Sequence, residues 1–339
     1  MSHHKLSLLL ISVLLFLNES TAIAIPVRSL NLPTLTRNAD LIVVGQIVGV
    51  HEVGRTNINV NEQTVPARLM SVTVRVDRTI KGSLPRSAVS FTYLIPSTPV
   101  GFGSIAPTQY GMFFLRRESV RSYAVLDPYY PFVTAIPDGS VVKGSDLERV
   151  AAEVINVLAS PSVSPDLRRE ALSVLESVVT EKVTAALHRT ARESDTVLSL
   201  EAIGMLLRRN DISMLDKATE VLLQPPPNVD DYILKNLAYA IGYGVRDPES
   251  IPALTRLLSA PDMHVRRNAV SALRHAHVEA AIGPLSIALD DSDHDVRYEA
   301  VMGLAEITGQ DRWAPSIQLF ARDEERFLTY WREWARAKK

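Results

Sequence analysis

A segment of this chain that begins at Ile251 is repeated from Ile282. Residues that keep their places between the copies are Leu254/Leu285, Leu258/Leu289, Asp262/Asp293, Val265/Val296, Arg266/Arg297, Ala269/Ala300, Val270/Val301 and Leu273/Leu304. A fixed period of about 31 residues, with helical spacing inside each copy, predicts stacked helix pairs rather than one globular core. Such a stack offers a long surface, so the repeat favours binding over catalysis.

The same pattern recurs with lower fidelity on both sides of this pair. Its anchor residues recur at a nearly constant spacing and are Leu167, Leu198, Ile233, Val265 and Val296. Near the end of the chain, Trp313-Ala314-Pro315 matches Ile282-Gly283-Pro284, and Phe327 and Trp331 take the anchor places. We therefore predict an all-α solenoid over residues 146–339, with about six helix pairs, of which the last is a divergent cap.

Two charged positions of the repeat have a structural explanation. Asp262 and Asp293 precede the second helix of their copies, where a carboxylate accepts hydrogen bonds from the unpaired backbone N–H groups. Arg266 and Arg297 follow one turn later and are expected to form a ladder, each donating to carboxylates or carbonyls of the neighbouring copy.

The motif V-R-x-x-A-V-x-x-L after an Asp-containing loop resembles HEAT repeats of the short bacterial kind, which also occur in phycobilisome-lyase-type proteins. The resemblance covers about half of the chain and is strongest from Ile251 to Ile307. It implies a HEAT-like α-solenoid that acts as a non-enzymatic scaffold for a protein or peptide. An accessory enzyme of the HEAT-repeat lyase type is the alternative.

Residues 25–140 have the pattern of a separate β domain. The predicted strands are Leu41–Val53, Arg68–Ile80, Ala88–Ile95, Tyr110–Arg116 and Ser122–Leu126. In the second strand, Val72, Val74 and Val76 alternate with polar residues, as expected for a strand with one buried face. Short strands separated by turns favour a small antiparallel β-barrel.

The opening Ala39-Asp40 with Val43 and Gly45, together with the strand that ends at Lys81-Gly82, resembles netrin-like and related OB-type domains. This chain lacks the cysteines of the animal members, so inhibition through an N-terminal cysteine is not carried over. Two segments, Gly54–Pro66 and Ser97–Thr108, are predicted to be long loops. They could bind a ligand or act as an inhibitor, or they could be tolerated insertions.

The beginning of the chain, residues 1–24, is typical of an export signal. An apolar run from Leu6 to Leu17 is too short to span a bilayer and is followed by Ala22-Ile23-Ala24, which fits a cleavage site. The chain contains no cysteine, which excludes disulfides and thiolate metal sites. Because exported eukaryotic domains usually carry disulfides, we expect a bacterial protein of the periplasm or the medium, with no membrane contact beyond a cleaved signal.

The sequence offers no motif for catalysis, a cofactor or a metal. A net charge of -2 gives no general attraction to nucleic acid. His275 and His277 are separated by one residue but have no third ligand in sequence, and the acidic segment Asp290–Asp295 lacks the Gly and Glu of a calcium loop. We expect these residues to serve structural roles.

Partner contact is expected on the concave face of the solenoid, which the second helices should line. The candidates are the positions two and six places after each anchor. The residues selected from them are Arg169, Lys235, Tyr239, Arg267, Ser271, Tyr298 and Met302. Tyr, Arg and Met are residue types favoured at interfaces. An ordinary solvated face without a partner is the alternative.

Overall fold

The computed structural model describes residues 30–60, 63–98, 102–119, 122–139 and 142–338. The predicted export signal, residues 1–24, lies outside this part of the chain. A short helix, α1 (Leu32–Asn38), is followed by a mixed sheet and then by a helical region. The strands are β1 (Leu41–Val60), β2 (Gln63–Lys81), β3 (Ala88–Pro96), β4 (Tyr110–Arg117), β5 (Tyr123–Val125) and β6 (Val133–Thr134).

The helical region consists of helices that pack as successive pairs. They are α2 (Asp146–Ala159), α3 (Pro165–Val174), α4 (Glu181–Thr190), α5 (Thr196–Arg208), α6 (Leu215–Leu223), α7 (Asp231–Gly244), α8 (Ile251–Leu257), α9 (Met263–Ala276), α10 (Ile282–Ala288), α11 (His294–Thr308), α12 (Ile317–Arg322) and α13 (Glu324–Lys338). The second members of the pairs contact one another in sequence, from α3 through α5, α7, α9 and α11 to α13. We call these six helices the second-helix layer.

The sheet has the order β1-β2-β3-β5-β4-β6, and β1 pairs with β4 as well. The pairing of β3 with β5 is parallel, whereas the other strand pairings are antiparallel. The predicted antiparallel sheet is therefore confirmed except for the pairing of β3 with β5. The reason is that β1, β2, β3, β5 and β4 are linked in a ring, and an odd number of strands in a ring cannot alternate in direction throughout.

The prediction of a loop at Gly54–Pro66 is wrong. Its described residues extend β1 and β2 into a two-stranded arm, in which Arg55 pairs with Arg68 and Ile58 with Val65. Most of the arm is exposed on both faces, so its residues need no apolar alternation and the sequence reads as a polar loop. The second predicted loop, Ser97–Thr108, has no regular structure in its described residues.

Strand β1 is buried on both sides at its beginning, which explains the unbroken apolar run at its start. Val43 and Ile47 pack inside the sheet with Phe91 and Phe113. Ile42 and its neighbour on the same face belong instead to a core that continues through α1 and α2 into the helical stack. The sheet therefore shares a hydrophobic core with the first repeats.

A buried ion pair reinforces this junction. Arg78 of β2 donates to both carboxylate oxygens of Glu153 of α2, at 2.9 and 2.7 Å, and the exposed fractions of the two side chains are 14% and 5%. The same guanidinium donates to the carbonyls of Ile136 and Pro137. In the other direction, Arg149 of α2 donates to the carbonyls of Thr79 and Ile80. The sheet thus closes the front end of the helical stack.

The repeat itself is built as its sequence predicts. The side chain of Asp262 accepts from the backbone N–H of His264, and Asp293 accepts from the N–H groups of Asp295 and Val296. Small residues allow neighbouring helices to approach closely. At Gly244 of α7, an added Cβ atom would lie 2.2 Å from a backbone oxygen of α5, so no larger residue fits there without a shift.

Large rings close the far end of the stack. Trp331 of α13 is completely buried, and its indole N–H donates to the carbonyl of Trp313 at 3.3 Å. The ring of Trp313 stacks on Tyr330 with centroids 3.6 Å apart, and Trp334 meets the edge of Trp331. The rings thus lie at the end of the stack for which the sequence predicts a cap.

Candidate binding surface

A groove of about 630 Å³ crosses the front half of the second-helix layer. It runs over three successive helices, α3, α5 and α7. Its lining residues are Asp166, Arg169, Glu170, Leu172, Ser173, Glu176, Leu200, Glu201, Gly204, Met205, Arg208, Tyr232, Ile233, Asn236, Leu237 and Tyr239. The groove is thus formed by equivalent faces of consecutive repeats, with an apolar floor and polar rims.

Two of the predicted contact residues line this groove. Arg169 of α3 lies between Glu201 and Asp166, at 3.4 and 3.7 Å. Tyr239 of α7 is 56% exposed, and its ring stacks on Tyr243 with centroids 5.7 Å apart and an angle of 13° between the planes. Both side chains are available at the surface of the groove.

Three other predicted residues lie on the same helix layer outside the groove lining. Lys235 of α7 is exposed, and its ammonium group is 2.6 Å from Asp231 on the same helix. Hydrogen bonding and attraction to Asp231 raise the pKa of Lys235. Ser271 of α9 is half-buried, with its hydroxyl 3.4 Å from a ring nitrogen of His275. Met302 of α11 is half-buried.

The last two predicted residues, Arg267 and Tyr298, bind other parts of the stack. The Arg267 guanidinium donates to both carboxylate oxygens of Asp293, at 2.8 and 2.7 Å, and lies 2.9 Å from Asp295. The Tyr298 ring packs on Phe320 at 5.3 Å. These side chains join one repeat to the next.

Sequence reasoning missed the acidic residues of the groove. Four carboxylates face two guanidinium groups: Asp166, Glu170, Glu176 and Glu201 against Arg169 and Arg208. Burial raises the pKa of Glu170, and burial also raises the pKa of Glu201 although Arg169 opposes the shift. The net charge of the lining is therefore negative.

Sequence reasoning also missed a stripe of aromatic side chains. Tyr232, Tyr239 and Tyr243 are exposed on α7, and Asn236 lies between the first two. Their spacing of seven and four residues places all three rings on one face of the helix. That spacing is visible in the sequence and could have revealed the stripe.

A second cavity, of about 460 Å³, adjoins the groove at the side of the sheet. It shares Glu170, Ser173 and Glu176 with the groove. Its other lining residues are Leu30, Asn31, Tyr130, Phe132, Val133, Val174 and Ser177. The two cavities therefore form one depression, which starts at the sheet, crosses α3 and continues over α5 and α7. We call it the front groove.

The predicted arginine ladder joins the repeats away from the groove. Arg266 binds Asp291 through two hydrogen bonds of 2.8 and 3.0 Å and also donates to the carbonyl of Ala260. Arg297 donates to Glu324 and to the carbonyl of Asp291. The ladder is therefore confirmed in the last repeats.

The earlier repeats keep only part of this ladder. Arg168 occupies the equivalent place in α3 and donates to the Leu158 carbonyl and to Glu193. In α5 the position is Ser199, and Lys217 from the next repeat donates both to its hydroxyl and to the Ala191 carbonyl. In this repeat, Ser199 and Lys217 donate to the Ala191 carbonyl in place of the missing arginine.

The histidines and acidic residues that were considered as metal ligands have structural roles. His277 ends α9 in the left-handed conformation with φ of 52°. The acidic segment 290–295 supplies the carboxylates that bind Arg266 and Arg267, and Asp290 pairs with Arg332 at 2.8 Å. Among the described residues, no group of three or more His, Asp or Glu side chains has the arrangement of a metal site. The helices described here include none with the length and apolarity needed to cross a bilayer.

Several solved structures match about half of this chain at low identity. The complex of CpcE and CpcF of phycocyanin lyase from Nostoc sp. PCC7120 is 18% identical, over 54% of this chain and 72% of that chain, with a TM-score of 0.38. A designed armadillo repeat protein in complex with the peptide (KR)4 is 16% identical, over 53% and 98%, with a TM-score of 0.35. Human deoxyhypusine hydroxylase is 19% identical, over 56% and 73%, with a TM-score of 0.26. Scores this low carry no information about the activity of this chain.

Comparison with protein families gives a more direct result. No curated protein matches the chain. A family model of HEAT repeats matches residues 215–305, which extend from the start of α6 into α11. This part of the chain is therefore similar to HEAT repeats.

Proposed function

We propose that this protein is a non-enzymatic scaffold that binds a protein or peptide in the front groove. The observation that carries the proposal is the depression itself, which spans the sheet edge and three successive repeats. Its lining combines an apolar floor with exposed tyrosines and ionised side chains. This combination is typical of protein contact surfaces, in which aromatic and arginine side chains supply most of the binding energy.

The docking of the sheet supports a rigid binding surface. The Arg78–Glu153 pair and the shared core connect the sheet to α2, so one wall of the groove belongs to each region. A partner would then meet a preformed surface and lose less free energy to ordering of the protein. In this proposal, the front groove is the concave face on which the solenoid binds its partner.

We further propose that the sheet is a small OB-type barrel. The ring of pairings from β1 through β2, β3, β5 and β4 back to β1 supports this assignment. The five-stranded OB barrel is a Greek-key arrangement of this size. In this protein its role would be to close the first repeat and to supply Phe132 and Val133 to the front groove.

Export to the periplasm or the medium is part of the same proposal. The apolar run Leu6–Leu17 and the small residues that follow it support cleavage after Ala24. Mass spectrometry of the protein from a producing bacterium tests this: the expected mature chain begins at Ile25 and is recovered outside the cytoplasm. An intact N-terminus in the cytoplasmic fraction would contradict export.

Site-specific crosslinking tests the scaffold. A photoreactive amino acid replaces Asn236, which is exposed at the groove, or Ile287, which is 63% exposed on the first helix of another pair. Irradiation in envelope extract should attach a protein at position 236 and give little product at 287. Equal labelling at both positions, or labelling by a small molecule alone, would contradict the proposal.

A further inference from the structure

The front groove has an unequal charge balance that defines which partner fits it. Arg169 lies close to Asp166 and Glu201, and Arg208 lies 3.1 Å from Glu176. Each guanidinium in the lining is therefore engaged by at least one carboxylate. With four carboxylates and two guanidinium groups, the lining has two negative charges in excess.

Glu170 is the carboxylate of the lining that pairs with neither guanidinium group. Among the described residues, no cationic side chain lies within ion-pair distance of it, and partial burial alone raises its pKa. It lies where the groove and the second cavity meet, since it lines both. Glu170 is exposed at this junction and has no counter-charge there, so it is a favourable site for a cationic group of a ligand.

The surroundings of Glu170 differ on its two sides. On the side of the sheet, the cavity wall is apolar and includes Leu30, Phe132 and Val174. On the other side, the groove leads across α5 to the exposed rings of α7. An apolar side chain fits the first site, and a neighbouring cation reaches Glu170. Tyrosine faces accept Arg or Lys through cation–π contacts and pack against the stems of these side chains.

The length of the groove favours an extended segment. Neighbouring packed helices lie about 8–10 Å apart, so the path from α3 to α7 measures about 16–20 Å. An extended chain advances about 3.3 Å per residue and covers that path with about five or six residues. A helix of the same few residues would be too short to be stable by itself.

We propose that the front groove receives an extended basic segment of a partner protein, in which an apolar residue is followed directly by Arg or Lys. The apolar side chain enters the cavity beside Phe132, the cation lies at Glu170, and the following basic residues lie along the tyrosines of α7. This inference rests on the proposed scaffold function and specifies the chemistry of its partner.

Binding of synthetic peptides to the full chain tests the inference. The probe is a fluorescent peptide, Gly-Ser-Leu-Arg-Ser-Lys-Ser-Arg-Gly-Ser, and binding is followed by fluorescence anisotropy at low and high salt. One control peptide has Glu at each basic position, and another has Ser in place of Leu. The basic peptide should bind about tenfold more tightly than either control, and added salt should weaken its binding.

Protein variants locate the site. Glu170→Gln should weaken binding of the basic peptide about tenfold, and Glu170→Lys should abolish it. The matched control is Glu220→Gln on α6, an exposed residue outside the groove. Circular dichroism should show the same helix content for all variants. Equal binding of the acidic peptide, or equal losses in the Glu170 and Glu220 variants, would overturn the inference.

Two further outcomes separate this inference from the scaffold proposal. If a protein crosslinks at position 236 but the basic peptide does not bind, the scaffold stands and the basic chemistry is wrong. If sedimentation shows a dimer that Glu170→Lys dissociates, the occupant is a second copy of the chain, and the proposed partner segment is wrong. If no protein crosslinks at position 236 and the basic peptide does not bind, both proposals are wrong.

Discussion

The front half of the second-helix layer (α3, α5 and α7) and its back half (α9, α11 and α13) use equivalent positions differently. In the front half, Arg169 and Tyr239 lie at an open groove. In the back half, Arg267 has the register position of Arg169, but it is bound by two aspartates of the next repeat. The arginine at this position pairs with a carboxylate of the next repeat in both halves, since Arg169 lies 3.4 Å from Glu201, but only in the front half does it also line an open groove.

This contrast shows why repeat register alone does not identify a binding surface. A stack is stabilised by contacts between nearest neighbours, so any exposed position can be used for a contact with the next repeat. The number of partners that the arginine finds there depends on the residues at the start of the next second helix. Asp293 and Asp295 supply the partners for Arg267, whereas the loop before α5 provides Asp195 only as the N-cap of that helix.

The largest expected effect concerns the end of the back half. Trp331→Ala should lower the free energy of unfolding by about 3–5 kcal/mol, because it removes a fully buried ring and leaves a cavity beside Trp313 and Trp334. Urea denaturation followed by circular dichroism measures the loss. Trp334→Ala, at a half-buried position, should cost less; equal costs would show that Trp331 is not the centre of the cap.

A smaller loss is expected from the ion pairs between α9 and α11. Arg274 donates two hydrogen bonds to Glu306, one of them at 2.8 Å, and one to Glu299 at 2.9 Å, and its side chain is 20% exposed. Arg274→Ala should cost about 1–2 kcal/mol, because solvent partly screens the pairs and two carboxylates are left without their counter-charge.

The control for this change is Arg256→Ala. Arg256 is half-exposed on α8 and lies 3.7 Å from Asp216, so its removal should cost less than about 0.5 kcal/mol. Denaturation of both variants in parallel gives the comparison. If the two losses are equal, the back half is not held by these pairs.

In the front half, a substitution at the groove should reduce binding of a partner but leave the stability of the fold nearly unchanged. Tyr239→Ala should change the free energy of unfolding by less than about 0.5 kcal/mol, because the ring is 56% exposed and stacks on the exposed Tyr243. Crosslinking of a partner at position 236 should nevertheless fall. A stability loss like that of Arg274→Ala, with crosslinking unchanged, would contradict the division between the two halves.

The helical stack was predictable because its information is local and repeated. Anchor spacing, aspartate caps and the arginine ladder each recur, so one copy supports the interpretation of the next. The arm formed by β1 and β2 was not predictable in the same way. Its residues face solvent on both sides, and no apolar alternation distinguishes a paired strand from a loop there.

The candidate site was predictable only in part, for a related reason. The register identified Arg169 and Tyr239 but could not show that Arg267 has partners in the next loop. Nor could it show that Glu170 has no ion-pair partner in the described part of the chain, because this depends on distances between side chains of different repeats and on the docking of the sheet. The excess of carboxylates becomes visible only when the helices are placed side by side.

The stability effects of two carboxylates have opposite signs in the two halves when acid is added. The hydrogen bond from Arg267, aided by backbone N–H groups against the effect of burial, lowers the pKa of Asp293 to about 2. Its stabilising contribution is complete above the ordinary carboxyl range and is lost as the pH falls toward that value. Burial instead raises the pKa of Glu170, so its ionised form destabilises the fold at neutral pH and protonation relieves this cost.

Two neutral substitutions expose this difference. At neutral pH, Asp293→Asn should lower the free energy of unfolding, whereas Glu170→Gln should leave it unchanged or raise it slightly. As the pH is lowered from neutral toward 2, the gap between wild type and Asp293→Asn should narrow, because the wild-type carboxylate loses its charge. Urea denaturation across this range measures both differences. A loss of stability in Glu170→Gln as large as that in Asp293→Asn would mean that Glu170 has a counter-charge within the fold, which would leave no free carboxylate for a ligand.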